Sequence, residues 1–227
     1  MQPNLAPHLQ GQFFQCIKNL GFNPVHIVDV GAHRGTWTRN ALQFFPDAHY
    51  SLFEPQAYLS ASFTDLLRNP KIKFYAKGVG PCSGMMDLTP SDRDDSFSFS
   101  FNAEEAKAFG VQQVKAPVVT LDEFLPSMGL PQPDLIKIDA EGWDLEVLKG
   151  AEKTISKAEV VLMEAAIMNK VFRNTIADVV RAMDSRGFIV FDITDLNRTQ
   201  KHNSLWLVEL VFVKSKGVLD KSIYEYA

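Results

Sequence analysis

The sequence predicts an α/β protein with a seven-stranded, mostly parallel sheet, one reversed strand near its C-terminal edge, and helices on both faces. One observation behind this prediction is that apolar, β-branched runs alternate with helical stripes, as in parallel sheets. The other lies near the C-terminus, where about ten turn-like residues join two strand-like runs, residues 188–193 and 205–213. Because a parallel crossover usually needs a helix, we expect these two strands to pair antiparallel.

The first strand–helix unit begins with a dense apolar run over residues 25–30, interrupted only by His26 and Asp29. Such a run suits a strand that is buried on both faces. A glycine turn follows, and a helical stripe then runs from Thr36 to its stop at Pro46. The unit therefore predicts a strand, a tight turn and a helix that lies on the sheet.

The alternation of strands and helices continues over two further strands. Residues 49–54 predict the second strand, a helical stripe covers residues 58–67, and residues 71–79 predict the third strand. Right-handed crossovers between such strands place helices on both faces of a parallel sheet.

Residues 80–118 interrupt the alternation. The segment is polar, carries an acidic cluster at Asp92, Asp94 and Asp95, and then alternates serine with phenylalanine over residues 96–101. A period of two indicates a strand with one apolar and one polar face. Because loops above the ligand edge of a sheet carry specificity, we predict a substrate-binding element here. A surface β-ribbon is the alternative.

The strand–helix alternation resumes after this segment. Thr120 opens a predicted helix with Asp122 near its cap. The elements predicted beyond it are a strand over residues 134–139, a helix over residues 144–155, a strand over residues 160–164, and a helix that Gly187 ends.

Composition limits the class of protein. The chain has 227 residues, of which 46% are hydrophobic and 22% charged, which excludes a disordered chain and favours one large domain. The net charge of −4 provides no basic field for phosphate backbones, so nucleic acid is not expected as a partner. A small-molecule substrate fits this balance better.

The sequence also predicts a compartment and a domain plan. The two cysteines form no disulfide framework or zinc spacing, and no run approaches the roughly twenty apolar residues of a membrane span. We therefore expect a cytoplasmic protein without membrane contact, whose oligomeric state the sequence leaves open. The predicted plan is an N-terminal helical extension over residues 1–24, a main domain over residues 25–215 that contains the interruption, and a tail over residues 216–227.

The glycine turn is the most informative motif. Gly31 permits a sharp turn and close approach of a ligand, and Gly35 lets the helix start near the strand. His33 stands where a pyrophosphate cradle needs glycine, so the turn suits a ligand without a pyrophosphate. Glu54 ends the second strand, where a carboxylate can accept both hydroxyls of a ribose. Together they indicate an adenosine-type ligand; the alternative is that the glycines only serve helix packing.

Several segments carry a family resemblance: VDVGAHRGTWT, LFEPQ, VVTLDEF followed by DLIKIDAEGWDLEVLKGA, and VVLMEA. Over about residues 25–213 the chain resembles the S-adenosylmethionine-dependent methyltransferases of the seven-strand class, and specifically the FkbM family. It departs at His33, where family members more often carry Asn. The resemblance implies the Rossmann-like class I methyltransferase fold and methyl transfer to a hydroxyl oxygen of a glycan or a secondary metabolite.

The resemblance also implies which residues contact S-adenosylmethionine. Asp29, Gly31 and Gly35 would line its methionine part, and Glu54 would hold the ribose. The other implied contacts are Gly78 and Val79 beside the adenine, together with Ala32, His33, Thr36, Pro55 and Asp139.

Three acids are candidates for catalysis. Asp139 ends the fourth strand, where strand ends line the ligand crevice, and its carboxylate could orient the acceptor hydroxyl or remove its proton. Glu141 is close enough to share the first task, and Glu164 at the end of the fifth strand is a substrate-binding or base candidate. The alternative is that Asp139 and Glu141 cap the helix that starts near Trp143.

Two further hypotheses concern a buried lysine that pairs with an acid and a site for a divalent cation. Lys137 lies two residues before Asp139 in a buried strand and is expected to pair with an acid. Glu164, Asp139 and Asn169 could hold a divalent cation. No Asp-Asn pair follows the fifth strand, so a metal is not favoured.

Two alternative functions stay open from the sequence. A nicotinamide-dependent oxidoreductase is favoured by the strand–helix units and Glu54, and opposed by the glycine spacing and the reversed strand. A non-catalytic module that keeps the cofactor fold is opposed by the intact acids. The chain also lacks the Asn/Asp-Pro-Pro-Tyr/Phe motif of amino-nitrogen methylation.

Overall fold

The computed structural model of the protein describes residues 6–90, 97–98, 103–108, 112–168 and 174–222. In chain order its strands are β1 (His26–Val30), β2 (His49–Phe53), β3 (Ile72–Tyr75), β4 (Gly78–Val79), β5 (Gly84–Pro90), β6 (Phe97–Ser98), β7 (Val114–Val119), β8 (Leu135–Ile138), β9 (Val160–Ala166), β10 (Phe188–Arg198) and β11 (Leu205–Lys214). Its α-helices are α1 (Ala6–Asn19), α2 (Thr36–Phe44), α3 (Ala103–Ala108), α4 (Leu121–Ser127), α5 (Asp144–Lys149), α6 (Glu152–Ile155), α7 (Ile176–Asp184) and α8 (Val218–Ser222).

The main sheet has seven strands in the order β10-β11-β9-β8-β1-β2-β3. Strands β3, β2, β1, β8 and β9 run parallel, and β11 is antiparallel to both β9 and β10. The predicted reversed strand is therefore confirmed, and it lies one position in from the edge. The short link between β10 and β11 enforces this arrangement, because no crossover helix fits in it.

A second, smaller sheet has the order β4-β7-β5-β6. The third predicted strand, residues 71–79, is wrong as a single element, because β3 pairs with β2 whereas β4 leaves the main sheet and pairs with β7. The interruption folds mainly as the antiparallel pair β5 and β7. Of the serine–phenylalanine alternation only β6 falls in the described residues, and the acidic cluster before it lies outside them.

Two local predictions need correction. The helical stripe over residues 58–67 forms two 3-10 helices, Ala57–Phe63 and Leu66–Arg68, in place of an α-helix. The helix expected over residues 144–155 is broken into α5 and α6 at Gly150, where a Cβ would lie 2.0 Å from the carbonyl oxygen of Gly80.

The cap of α4 is Thr120, whose Oγ1 accepts a hydrogen bond from the Glu123 N–H at 3.3 Å. The Asp122 carboxylate instead accepts from the N–H groups of Lys153 and Thr154, at 2.9 and 2.8 Å. Asp122 therefore ties α4 to α6, a contact between segments that lie thirty residues apart in the sequence.

Helices cover both faces of the sheet. Helices α1 and α2 pack on the face that includes Leu135, Leu162 and Val211, while α4, α5, α6 and α7 pack on the face that includes Ile136 and Met163. Among the described helices, none combines the length and apolar character needed to cross a membrane. At one edge of the sheet, the polar residues at the ends of β1, β2 and β8 lie between the two layers of helices.

Candidate functional site

The glycine turn brings the end of β1 against the end of β8. Gly31 has φ +76°, and a Cβ there would lie 1.8 Å from the carbonyl oxygen of Asp139. Glycine is therefore required at position 31 because the backbone of Asp139 approaches it closely. Gly35, with φ +76°, is crowded by the side chains of Phe63 and Leu66 at 3.0 Å, so it serves packing against the 3-10 turns.

An open cavity lies at this edge of the sheet, with about 520 Å³ of empty space that includes the part open to solvent. Of the residues predicted from the sequence to contact cofactor, it is lined by Gly31, His33, Glu54, Pro55, Gly78, Val79 and Asp139, and the catalytic candidate Glu141 lines it too. The lining residues that sequence reasoning missed are Val30, Phe53, Gln56, Lys77 and Ala140. All five are chain neighbours of predicted residues, and this was the signal that could have found them.

Four predicted cofactor contacts do not line the cavity: Asp29, Ala32, Gly35 and Thr36. Asp29 and Ala32 are buried within the sheet and the turn, and Thr36 is exposed at the start of α2. The structure therefore separates residues that form the cavity surface from residues that support it.

Glu54 holds the glycine turn against β2. Its side chain is buried, Oε2 accepts from the His33 N–H at 2.9 Å, and Oε1 accepts from the Gln56 N–H at 2.9 Å. Burial raises the pKa of Glu54, although both N–H bonds act in the opposite direction. Each oxygen keeps a further lone pair for a ligand hydroxyl.

Lys137 is a buried cation between two carboxylates. Its Nζ lies 3.0 Å from Oδ2 of Asp139 and 3.5 Å from Oδ1 of Asp29, and donates to the Gly31 carbonyl oxygen at 3.3 Å. Burial acts to lower the pKa of Lys137, but Asp139 and Asp29 outweigh it and raise the pKa. The expected pairing of Lys137 with an acid is thus present, and Asp29 acts by supporting the ammonium.

The loop between β8 and α5 is fixed by Asp144, which sequence reasoning missed. The buried Asp144 carboxylate accepts from the N–H groups of Ala140 and Gly142, at 3.1 and 3.2 Å, and from Nδ2 of Asn174 at 3.1 Å. Burial raises the pKa of Asp144 to about 6. Asp144, rather than Asp139, thus caps this turn, and it holds Glu141 at φ +50° on the cavity wall.

Glu164 lies on β9 and is not part of the cavity wall. Its Oε2 is buried and has no hydrogen-bond partner among the described residues, and burial, followed by the charge of Asp139, raises its pKa well above the usual range. Asn169, the third ligand of the metal hypothesis, lies outside the described residues. In the ranges that the structure covers, no group of three His, Cys, Asp or Glu side chains is arranged to hold a metal ion.

This fold, with its reversed strand and its cavity at the carboxyl edge, defines the class I S-adenosylmethionine-dependent methyltransferases. The fold is shared with magnesium protoporphyrin IX methyltransferase from Synechocystis PCC 6803, with a TM-score of 0.54 and 12% identity over 92% of this chain and 80% of the other. It is also shared with methyltransferase FkbM from Methylobacillus flagellatus KT, with a TM-score of 0.54 and 17% identity over 82% of this chain and 43% of the other.

Within that class the chain belongs to the FkbM methyltransferase family, whose Methyltransferase FkbM domain matches residues 29–190. Among curated proteins, it is 25% identical over 150 residues to 2-O-methyltransferase NoeI of Sinorhizobium fredii, covering 61% of this chain and 62% of NoeI. It is 28% identical over 125 residues to hexuronic acid methyltransferase AglP of Haloferax volcanii, covering 54% of this chain and 46% of AglP. The chain thus spans less than two thirds of either relative.

Proposed function

We propose that this protein transfers a methyl group from S-adenosylmethionine to a hydroxyl oxygen of a sugar or a secondary metabolite. The observation that carries the proposal is the position of Asp139, which lines the cavity, keeps 33% of its side chain exposed and is paired with Lys137. Two relatives, the 2-O-methyltransferase NoeI and the hexuronic acid methyltransferase AglP, support an oxygen on a sugar as the acceptor.

The cavity residues fit S-adenosylmethionine. Both oxygens of Glu54 keep acceptor capacity for the two ribose hydroxyls, and the buried, small pair Gly78 and Val79 offers an apolar wall for the adenine. At the opposite end of the site, the two carboxylates of Asp29 and Asp139 outnumber the one ammonium group of Lys137. This excess of negative charge favours a ligand group that is cationic. When bound, this cofactor supplies a methyl carbon whose bond to the sulfonium sulfur breaks as the acceptor oxygen attacks.

Asp139 has two tasks in this proposal. Its carboxylate accepts a hydrogen bond from the acceptor hydroxyl, which orients the oxygen, and then accepts the proton as the oxygen becomes methylated. The Nζ of Lys137 lies 3.0 Å from Oδ2 of Asp139 and holds this carboxylate in place at the cavity. Glu141 on the same cavity wall helps to hold the acceptor. Positioning supplies much of the rate, because a direct displacement requires alignment above all.

The first test is calorimetric titration of the purified protein with S-adenosylmethionine and S-adenosylhomocysteine, with and without magnesium. We expect micromolar binding, about −8 kcal/mol, that does not depend on magnesium. A titration with NADH is the control for the oxidoreductase alternative. Failure to bind either sulfur compound would contradict the proposal.

The second test follows methyl transfer from isotopically labelled S-adenosylmethionine to a panel of uronic acids, neutral glycosides and hydroxylated metabolites, detected by mass spectrometry. We expect an O-methylated product with the wild-type protein and little with Asp139→Asn. Cofactor binding without transfer to any acceptor would favour the non-catalytic module.

A further inference from the structure

A buried hydrogen bond joins the two connections that follow β8 and β9. Nδ2 of Asn174, two residues before α7 begins, donates to Oδ2 of Asp144, the first residue of α5, at 3.1 Å. Asp144 and Asn174 keep only 1% and 6% of their surface exposed. Because its pKa is about 6, Asp144 is ionised at neutral pH, and hydrogen bonds to an ionised carboxylate are among the stronger ones in proteins. We call this contact the Asn174–Asp144 link.

The backbone of Asn174 is held independently of Asp144. Its carbonyl oxygen accepts a hydrogen bond from the Ala166 N–H at the end of β9, at 2.9 Å. Thr175, the next residue, caps α7 and forms a capping box with Asp178. The Asn174 amide therefore extends from a backbone that is fixed on both sides, and it can hold the Asp144 carboxylate in one position.

The Asp144 carboxylate in turn folds the loop that carries Glu141. It accepts from the N–H groups of Ala140 and Gly142, at 3.1 and 3.2 Å. Glu141 and Gly142 have φ +50° and +86°, and this left-handed conformation is costly for Glu141, which carries a Cβ. Such a conformation persists only where the surrounding contacts hold it. The place of Glu141 on the cavity wall therefore depends on Asp144.

Asp139, at the start of the same loop, is held by different contacts. Its N–H donates to the Val30 carbonyl oxygen at 3.1 Å, and its Oδ2 lies 3.0 Å from Nζ of Lys137. Neither contact depends on the Asn174–Asp144 link. A loss of the link would therefore displace Glu141 while Asp139 stays in place.

We propose that Asn174 is a positioning residue that acts through Asp144 and sets where Glu141 holds the methyl acceptor. Asn174 does not line the cavity itself, so it has no direct contact with the acceptor in this proposal. The role toward the acceptor rests on the proposed function. The hydrogen bonds that connect Asn174 to the loop do not rest on it, and they can be tested separately.

The effect on the loop is tested without cofactor or acceptor, by amide hydrogen exchange measured with NMR. In Asn174→Ala we expect the amides of Ala140 and Gly142 to exchange about tenfold faster, because the Asp144 carboxylate loses the donor that fixes it. The Asp139 amide should keep its rate, since its bond lies outside the link. Unchanged exchange at Ala140 and Gly142 would overturn the proposal.

The matched control for this experiment is Asn197→Ala. Nδ2 of Asn197 donates to Oδ2 of Asp195 at 2.8 Å, so this variant also removes an amide donor from an aspartate, but on β10. Exchange at Ala140 and Gly142 should stay at the wild-type rate in this variant. Equally faster exchange in both variants would indicate a general loss of structure and would overturn the specific link.

The kinetic test compares KM with kcat on an identified acceptor. Asn174→Ala should raise KM for the acceptor about tenfold and lower kcat by no more than about threefold, because Asp139 keeps its own contacts. Affinity for S-adenosylhomocysteine, measured by calorimetry, should change by less than about twofold, because Glu54 and the glycine turn are untouched. A fall in kcat with an unchanged KM would contradict positioning of the acceptor.

The variant Asn174→Asp separates positioning from a general loss of structure by its pH dependence. When protonated, the new carboxyl group donates an O–H to Asp144 and restores the link, whereas two ionised groups repel each other. The charges of Asp139 of β8 and Glu164 of β9, which also act on Asp144, favour a proton on this pair. KM for the acceptor, relative to the wild type at the same pH, should be within about twofold at pH 6 and about tenfold higher at pH 9.

In Asn174→Ala the relative KM should be raised about equally at both pH values, because no titratable group replaces the amide. A rise in Asn174→Asp that is the same at pH 6 and pH 9 would overturn the action through Asp144. If the wild type methylates no acceptor while the exchange rates behave as expected, the proposed function fails and the control of the loop by Asn174 stands. If methylation occurs and the exchange rates do not respond, the positioning fails and the proposed function stands.

Discussion

A Cβ atom on Gly31 would lie 1.8 Å from the carbonyl oxygen of Asp139, so the turn after β1 and the end of β8 fit together only with glycine at position 31. This contact joins the turn proposed to hold the cofactor to the acid proposed to accept the proton. It is a packing relationship between backbones, and the positive φ of Gly31 adds a second reason for glycine.

Substitution of Gly31 is expected to damage both stability and binding. Gly31→Ala should cost about 3 kcal/mol or more, because it combines overpacking with an unfavourable φ. The matched control is Gly129→Ala, where φ is +64° but no atom lies within 4 Å of the added Cβ, and about 1 kcal/mol is expected. Urea unfolding measures both. Equal losses would show that the Asp139 contact contributes nothing.

Glu54 is expected to control cofactor affinity. Glu54→Ala removes the acceptor for the ribose hydroxyls and releases the His33 and Gln56 N–H groups, so we expect affinity for S-adenosylmethionine to fall by about 10- to 100-fold. Calorimetry measures the change, with the exposed Glu104→Ala as control. Unchanged affinity in Glu54→Ala would contradict the assignment.

Asp139 is expected to affect turnover more than cofactor binding. Asp139→Asn keeps the shape of the side chain but loses its basicity, so kcat should fall by about 10²- to 10⁴-fold. Affinity for S-adenosylhomocysteine should change by only a few-fold. Steady-state kinetics and calorimetry separate the two effects, and normal turnover in Asp139→Asn would exclude it as the base.

Lys137 is expected to be essential for stability. Lys137→Met leaves the fully buried Asp29 without its cation, which should cost about 3–5 kcal/mol. The double variant Lys137→Met/Asp29→Asn removes the stranded charge and should regain part of this loss. Denaturant unfolding tests both variants. A double variant that is less stable than Lys137→Met would contradict this electrostatic account.

Glu209 is expected to lower the stability of the protein at alkaline pH. Its pKa is raised in the folded state to about 7, so the native protein binds the proton more tightly than the unfolded chain, and stability falls as pH rises from about 4.5 to above 7. Glu209→Gln should therefore be more stable than the wild type at pH 8, by about 1–3 kcal/mol, and lose this advantage near pH 4. Thermal unfolding across this range provides the measurement. An advantage of equal size at both pH values would contradict the titration of Glu209.

Much of the fold could be predicted, because its signals are local in the chain. The apolar run before Gly31, the stripe after Thr36 and the short link between β10 and β11 fixed strand number and the reversed strand. Glu54 and Asp139 both line the cavity, because strand ends share one edge of a parallel sheet, and their roles toward cofactor and acceptor stay predictions. The break at Gly150 was missed because its cause, the Gly80 carbonyl, lies seventy residues away.

The sequence by itself determined the class of fold, the family and the edge of the sheet where the cofactor is proposed to bind, since hydrophobic periodicity and motif spacing depend only on neighbours in the chain. Only the tertiary structure decided which acids face the cavity and which support it. Asp29 is buried beside Lys137, and Asp144 holds the loop between β8 and α5 through its hydrogen bonds. Glu209 of β11 lies opposite Glu164 of β9. The physical reason is that the charge state of a buried carboxyl group depends on partners that the sequence places far away and the sheet brings opposite each other.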